Sequence, residues 1–323
     1  MIVVTGAYGF IGSYLVGRLN AAGWANDLVI VDDFSRADKQ ANLLGKIWRH
    51  QIERDVFIQW FVANAKDIKF VYHLGARTDT TETNEALFEK LNLQYSKDIW
   101  QICSENQIPL VYASSAATYG NGEHGFGDAE NDIAKLHPLN PYGWSKQNFD
   151  LWALQQEITP PKWAGLKFFN VYGPNEYHKG RMASVIMHSF NKINAEGKMM
   201  LFRSHKPGIM DGHQSRDFIY VKDIAEMCMR IMENNDFKSG IYNAGTGRAR
   251  TFLDLTLNTF AAMGLTPDIE FIDTPLDIRN TYQYFTEAVM DKWLHQFHDM
   301  HFTDLEEGVD EYVKMYLTKK SYY

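Results

Sequence analysis

Ile2-Val3-Val4-Thr5-Gly6-Ala7-Tyr8-Gly9-Phe10-Ile11-Gly12 is the stretch whose reading decides the fold. A β-branched run leads into glycines at G-x-x-G-x-x-G spacing, and an apolar-periodic segment continues to about Leu19. That order predicts a strand, a tight turn and a helix. Gly6 permits the turn, Gly9 lets backbone approach a pyrophosphate, and Gly12 permits close helix packing, while the helix N-terminus favours an anion. Gly6, Gly9 and Gly12 are therefore candidate cofactor contacts.

Working outward, Leu28-Val29-Ile30-Val31 reads as a second strand ending in Asp32-Asp33. An acid about 20 residues after the last glycine meets the adenosine ribose hydroxyls. Asp32 would repel a 2′-phosphate, whereas Arg36 and Lys39 would neutralise one, so the residues leave NAD and NADP open. A helix is expected near Phe57 to Val62, then a buried strand from Lys69 running into a small-residue turn at Leu74-Gly75-Ala76. Leu87 to Ile102 reads as a long helix carrying Asn92, and Pro109 to Ser115 as the next parallel strand. Trp163 to Phe169 continues the alternation, which predicts an α/β Rossmann-type doubly wound parallel sheet over residues 1–169. From Asn170 the pattern changes to short strands, helices and polar loops. Residues 170–323 are expected to form a smaller C-terminal substrate-binding lobe interleaved with the first. Its strands fall near Met199 to Phe202, Asp217 to Tyr220 and Gly240 to Asn243, and its helices start near Ala183, Val221, Phe252 and Thr303. Lys319 to Tyr323 is expected to be a frayed end.

The chemistry is carried by Tyr142-Gly143-Trp144-Ser145-Lys146. On a helix, Tyr142 and Lys146 share one face a turn apart. A lysine cation beside a phenol favours phenolate, so the pair is expected to exchange a proton with a substrate hydroxyl. Asn140-Pro141 marks an abrupt helix start that puts Tyr142 at its mouth, and the helix is expected to run through Gln155. Ser115, at the carboxyl edge of its strand, is placed to hydrogen-bond a substrate oxygen.

Composition narrows the partners. A chain of 323 residues with 22% charged residues reads as a globular protein, and its formal charge of −8 argues against a nucleic-acid partner, whose phosphates would select a basic face. Every apolar run is too short for a membrane span, and Met1-Ile2-Val3-Val4 reads as a strand from the first residue, so no signal peptide is expected. Cys103 and Cys228 form no C-x-x-C motif and fit a reduced cytoplasm. The histidines make no H-E-x-x-H array, so no metal is expected.

Taken together, the glycine turn, Asp32, Ser115, Tyr142-x-x-x-Lys146, Asn170-Val171-Tyr172-Gly173-Pro174, Arg216-Asp217-Phe218-Ile219-Tyr220-Val221 and Asn243-Ala244-Gly245-Thr246-Gly247 resemble the extended short-chain dehydrogenase/reductases that modify nucleotide sugars. Within that family the chain is most similar to the ADP-heptose 6-epimerases of lipopolysaccharide core precursor synthesis. That likeness lies in Tyr112 to Gly120, Asn92 to Lys97 and the continuation His178-Lys179-Gly180 with Met182 to Val185. The resemblance implies an isomerase with NADP, a cytoplasmic location, a homo-oligomer that is a pentamer, and Lys179 as a second catalytic residue beside Ser115, Tyr142 and Lys146. It places cofactor at Phe10, Ile11, Asp32, Asp33, Lys39, Leu74, Gly75, Ala76, Arg77, Thr78, Asn92, Tyr142, Lys146, Val171 and Lys179. Substrate, an ADP-heptose or related nucleotide sugar, falls to Ser115, Asn170, Arg181, His188, Phe202, Arg203, Ser204, His205, Arg216 and Tyr282. Four departures are a tyrosine at position 8 in the glycine turn, an arginine at 181 where the family tends to have a small polar residue, Gly125-Phe126-Gly127 in an extended loop before Tyr142, and a longer Arg203 to Ser215 loop. The rival readings are a UDP-hexose 4-epimerase and a catalytically silent NAD(P)-binding sensor. A 4,6-dehydratase is disfavoured, because its Asp-Glu pair is replaced by Ala116-Ala117.

Overall fold

The computed structural model describes residues 1–279 and 282–323. Its strands are β1 (Ile2–Thr5), β2 (Leu28–Asp32), β3 (His50–Glu53), β4 (Phe70–His73), β5 (Leu110–Ser115), β6 (Trp163–Phe168), β7 (Asn170–Tyr172), β8 (Met199–Phe202), β9 (Ser215–Tyr220), β10 (Gly240–Ala244), β11 (Ala249–Thr251) and β12 (Ile269–Ile272). Seven of them form one parallel sheet in the order β10-β6-β5-β4-β1-β2-β3. The order reverses beside β1, and in such sheets ligands bind beyond the carboxyl ends at the reversal. Two smaller sheets, β11-β9-β7 and β12-β8, accompany it.

Strand periodicity explains how both faces are covered. Ile2, Val4, Leu28, Ile30 and Tyr72 point into one apolar cluster with Tyr14, Leu15, Ile224 and Cys228, from helices Phe10–Ala21 and Val221–Glu233. The intervening Val3, Val29, Val31 and Val71 point into the other, with Phe57, Phe61, Ile99 and Phe149 from helices Arg54–Asn64, Tyr95–Glu105 and Pro141–Leu154. Successive side chains alternate across a strand, so residues buried on both faces make the near-continuous apolar runs seen in the sequence.

Sequence and structure differ at three places in the fold. The strand expected near Gly240 to Asn243 in the smaller lobe pairs instead with β6, as an edge of the large parallel sheet. The helix expected from Leu87 to Ile102 is continuous but has a π-helical stretch at Glu89–Gln94, which contains Asn92. The segment expected to fray is docked instead: Tyr323 stacks on Tyr14 with ring centroids 4.0 Å apart, and Tyr322 packs on Tyr177. Aromatic rings supply the buried area that the polar composition of the tail concealed. Among the described residues no helix is long and apolar enough to cross a membrane.

One buried group gives the fold a pH dependence. His73 ends β4 with Nδ1 2.7 Å from Thr5 Oγ1 and Nε2 2.9 Å from Ser96 Oγ. Burial, and then the Lys146 cation, depress its pKa from 6.5 to about 3. Between those values the unfolded chain binds the proton and the folded chain does not, so stability falls as pH falls through the window. The expected slope is about 1.4 kcal/mol per pH unit once the unfolded histidine is protonated. Asp223, raised to about 6 by burial, acts in the opposite direction, but it is common to wild type and His73→Asn. Urea unfolding from pH 7.5 to 4.5 should therefore show the variant losing less stability on acidification than wild type. Parallel curves would refute the assignment.

Candidate active site

The glycine turn is built as a cradle. Gly6 has φ +70°, and a Cβ there would come within 2.6 Å of Gly75 N, while a Cβ on Gly12 would lie 2.1 Å from Gly6 O. Gly9 caps helix Phe10–Ala21 without a side-chain hydrogen bond, and Ser13 is the first helical residue whose N–H returns to it. The N–H groups of Phe10, Ile11 and Gly12 are thus available to an anion at the positive end of the helix dipole. This cradle fits a dinucleotide pyrophosphate. Tyr8 does not obstruct it, because its ring is buried 5.2 Å from Phe34 and its N–H donates to Asp32 Oδ2 (2.9 Å). The other Asp32 oxygen accepts from Asp33 N (2.8 Å) and Lys39 Nζ (3.4 Å).

The opposite wall comes from β5 and helix Pro141–Leu154. Asn140 caps that helix by accepting from Gly143 N at 2.8 Å, with Pro141 at its first position. Asp150, one turn beyond Lys146, accepts from Ser114 Oγ (2.7 Å), Tyr112 OH (3.0 Å) and Lys167 Nζ (2.7 Å), and both Asp150 and Lys167 are fully buried. This network bolts the helix to β5 and β6 and fixes where Tyr142 and Lys146 face. Removing one partner of such a pair costs about 3–5 kcal/mol because it strands a buried charge.

Tyr142, Lys146 and Ser115 all reach the cleft. Their electrostatics differ from the simple phenolate picture. Burial raises the pKa of Tyr142, and only a hydrogen bond with Ser115 opposes it. Lys146 Nζ donates to Ala113 O at 2.7 Å, and burial lowers its pKa to about 8 while Asp150 resists. Tyr142 therefore rests as the protonated phenol, with a lysine close to its own titration point nearby. Lys179 enters from the loop after β7: its Nζ lies 5.0 Å from the centroid of the Phe10 ring, and burial lowers its pKa against the pull of Glu176. A lowered lysine pKa is what general acid–base work near neutrality needs.

One cleft of about 1280 Å³ gathers Gly6, Gly9, Phe10, Ile11, Gly12, Asp32, Asp33, Lys39, Leu74 to Thr78, Ser115, Tyr142, Lys146, Asn170, Val171, Lys179, Arg216 and Tyr282. Asn92 lies behind it, pairing with both the N–H and the C=O of Arg77 (2.8 and 2.9 Å), so it holds the Leu74–Thr78 turn rather than lining the cleft. Arg181 is exposed at the rim, bonded to Asp79 and Thr81. His188 is exposed against Arg181 O. Phe202, Arg203, Ser204 and His205 also lie outside the cleft lining: Phe202 touches the ring of Tyr282 at 5.9 Å, and Ser204 N donates to Asp211. Sequence reasoning did not single out Arg54, Gln283 or Thr286, all of which line the cleft, and it quoted His178 in the His178-Lys179-Gly180 stretch without assigning it to the site. Arg54 opens the helix that follows β3, a strand that the sequence reading did not foresee.

Arg216 is 7% exposed, and its guanidinium donates to the carbonyls of Ser215 (2.9 Å) and Gln283 while lying 5.5 and 5.6 Å from the Phe252 and Tyr282 rings. Its neighbour Asp217 is satisfied elsewhere, by Thr246, Gly247 and Ala288. No ion pair holds Arg216 among the described residues, which leaves a buried cation facing the cleft. A phosphate there would receive charge-assisted hydrogen bonds. Arg216→Ala is expected to raise KM for a phosphate-bearing substrate about 10- to 100-fold with kcat little changed, on the scale of about 1.5–3 kcal/mol for a hydrogen bond to a charged group. A lowered Tm with unchanged KM would mean a structural role instead.

Comparison with known proteins places the chain in a family. The chain is 45% identical over its whole length to the whole of an ADP-L-glycero-D-manno-heptose-6-epimerase of Fusobacterium nucleatum. It is 46% identical to one of Nitratidesulfovibrio vulgaris over 98% of each chain. The crystal structure of the Helicobacter pylori ADP-L-glycero-D-manno-heptose-6-epimerase superposes with a TM-score of 0.78 at 25% identity, covering 97% of this chain and 95% of that one. MoeE5 in complex with UDP-glucose and NAD superposes with a TM-score of 0.77 at 26% identity over 99% of each. Residues 2–245, which contain the glycine cradle, Ser115, Tyr142, Lys146 and Lys179, match the sequence profile of the NAD dependent epimerase/dehydratase family, and the chain belongs to that family.

Proposed function

We propose that the protein interconverts ADP-D-glycero-D-manno-heptose and ADP-L-glycero-D-manno-heptose by transient oxidation at C6. The observation that carries this reading is that Tyr142 on one wall and Lys179 on the other line the same cleft as the dinucleotide cradle, two groups of the kind that transfers protons. Full-length similarity to heptose epimerases supports the sugar. A nicotinamide dinucleotide supplies a reversible hydride acceptor, which makes a carbinol carbon with a non-acidic C–H invertible.

The chain's own residues do the rest. The N–H groups of Phe10, Ile11 and Gly12 would hold the dinucleotide pyrophosphate, and Asp32 would meet the adenosine ribose. Ser115 holds the reacting oxygen. Tyr142 moves the hydroxyl proton in one configuration of C6 and Lys179 in the other, since one fixed group cannot reach a hydroxyl that takes two orientations. Lys146, held on Ala113 O, would bond the nicotinamide ribose. Arg216 and Tyr282 hold the substrate pyrophosphate end. The assembly is a homo-pentamer, which sedimentation of the purified protein tests.

The cofactor is NADP. Arg36, Lys39 and Arg54 face the cleft beside Asp32 and Asp33, although Arg36 is shared with Asp38 at 2.6 Å. Replacing Arg36 and Lys39 together by Ala is expected to weaken NADP about 10- to 100-fold more than NAD, by loss of charge-assisted contacts. Equal losses would remove the phosphate contact from the reading.

The test is turnover in D₂O. Heptose should invert with no deuterium at C6, UDP-hexoses should not be converted, and denatured protein should release a dinucleotide with the mass of NADP. Deuterium at C6 would eliminate the redox route, and conversion of UDP-glucose to UDP-galactose would favour the 4-epimerase.

A further inference from the structure

The loop that carries Lys179 is held by a part of the chain remote in sequence. Tyr323 lies flat on Tyr14 of helix Phe10–Ala21, with centroids 4.0 Å apart and planes 18° apart. The same ring fills the space over Gly17, where a Cβ would come within 2.7 Å of it. The backbone N–H of Tyr323 donates to Asn175 Oδ1 at 2.9 Å, and Lys46 donates to the backbone oxygen of Tyr323 and to Asn42 O. Tyr177 OH lies 3.0 Å from Tyr316 O and 3.1 Å from Ser321 O, and its ring meets Tyr322 at 4.9 Å.

Asn175 is the pivot. It is fully buried with φ +77°, and its Nδ2 donates to Ser13 Oγ at 3.0 Å. A non-glycine residue in the left-handed region persists only where its surroundings over-determine it. Here the two ends of one amide are claimed by the tail and by the cradle helix. From Asn175 the path to Lys179 is short and tied: Lys179 N donates to Glu176 O (2.9 Å), Glu176 accepts from Ser184 and Tyr312, and His178 Nδ1 is 3.1 Å from Asn42 Nδ2.

We infer that Ser321–Tyr323 is a positioning strap that sets Lys179 against the cradle helix, with Tyr323 and Asn175 as its working residues. The inference rests on the catalytic assignment of Lys179 above. Neither residue touches the cleft; they act through the loop. Displacement of a reacting group by about 1 Å costs on the order of 100-fold in rate, so a partly loosened loop should cost at least tenfold.

The experiment uses the full chain carrying Tyr323→Ala, Tyr323→Phe or Gly17→Ala. Tyr323→Ala is expected to lower kcat for ADP-heptose epimerisation about tenfold or more, with KM, retained dinucleotide and Tm near wild type. Amide hydrogen exchange at residues 175–182 should quicken. Tyr323→Phe keeps the stacked ring and should restore both. Gly17→Ala, whose Cβ would come within 2.7 Å of the ring and push it off the helix, should reproduce the kcat loss. The strap is overturned if Tyr323→Ala retains wild-type kcat, if exchange at 175–182 does not change, or if kcat, KM and Tm deteriorate together without rescue by Phe. Should wild type fail to epimerise ADP-heptose, the functional reading falls, while the exchange measurement still decides by itself whether the tail holds this loop.

Discussion

Tyr142→Phe and Lys179→Met should each lower kcat for epimerisation by about 10² to 10⁴-fold, the usual contribution of a positioned acid or base, while keeping the fold and the dinucleotide. Both side chains enter one cleft from different elements, Tyr142 from helix Pro141–Leu154 and Lys179 from the loop after β7. Burial leaves the phenol protonated and brings the lysine down from its ordinary value, so each can give a proton in one direction of the reaction and take it in the other. Neither change opens a hole in an apolar cluster, and Phe preserves the ring that meets Phe88 at 6.4 Å. The measurement is single-turnover conversion of each heptose epimer separately, together with the mass and absorbance of released dinucleotide. A variant within tenfold of wild type in both directions would remove that residue from the proton-transfer pair. If both variants fail only because the dinucleotide is gone, their role is binding and the two-group scheme is wrong.

Gly12→Ala should give a folded protein that no longer retains dinucleotide. Its Cβ would sit 2.1 Å from Gly6 O and 2.7 Å from Gly6 C, both backbone atoms that no side-chain rotation can move. Relief requires the helix N-terminus and the Gly6 turn to separate, and Gly6 is itself fixed by donation of its N–H to Val31 O at 2.8 Å. Overpacking of this kind costs about 1–3 kcal/mol, and it falls on the N–H groups that would hold a pyrophosphate. Loss of dinucleotide affinity by about 10- to 100-fold is expected from that cost, read by titration of dinucleotide-stripped protein. Wild-type affinity in a stable Gly12→Ala protein would mean that this turn does not hold the pyrophosphate.

Much of this architecture was legible in the chain. Ile2–Thr5 with the glycine spacing, the apolar runs at Leu28–Asp32 and Leu110–Ser115, and Asn140-Pro141 before Tyr142 specify local conformation through short-range sterics and capping, so the strands, the turn and the helix start appear where the sequence puts them. The parallel sheet follows because strands buried on both faces need helices on both sides.

Other features depend on contacts between residues far apart in sequence, and no local pattern encodes them. Arg216 could have been an ion pair with Asp217, and the approach of Thr246 and Ala288 to that acid leaves the arginine without one among the described residues. Lys146 was expected to act on Tyr142 through its charge, yet burial dominates both groups and the amine is directed to Ala113 O. Asn92 was assigned to the cofactor, but the fold turns it onto the backbone of Arg77. The tail was read as loose from its polar letters, and its rings find Tyr14 and Tyr177 only after the chain has closed. Sequence by itself determined the elements and the chemical types at the site, because backbone sterics and side-chain identity are local. Tertiary structure alone decided which charges are paired, which are desolvated and which loop is held, because those depend on what burial brings alongside.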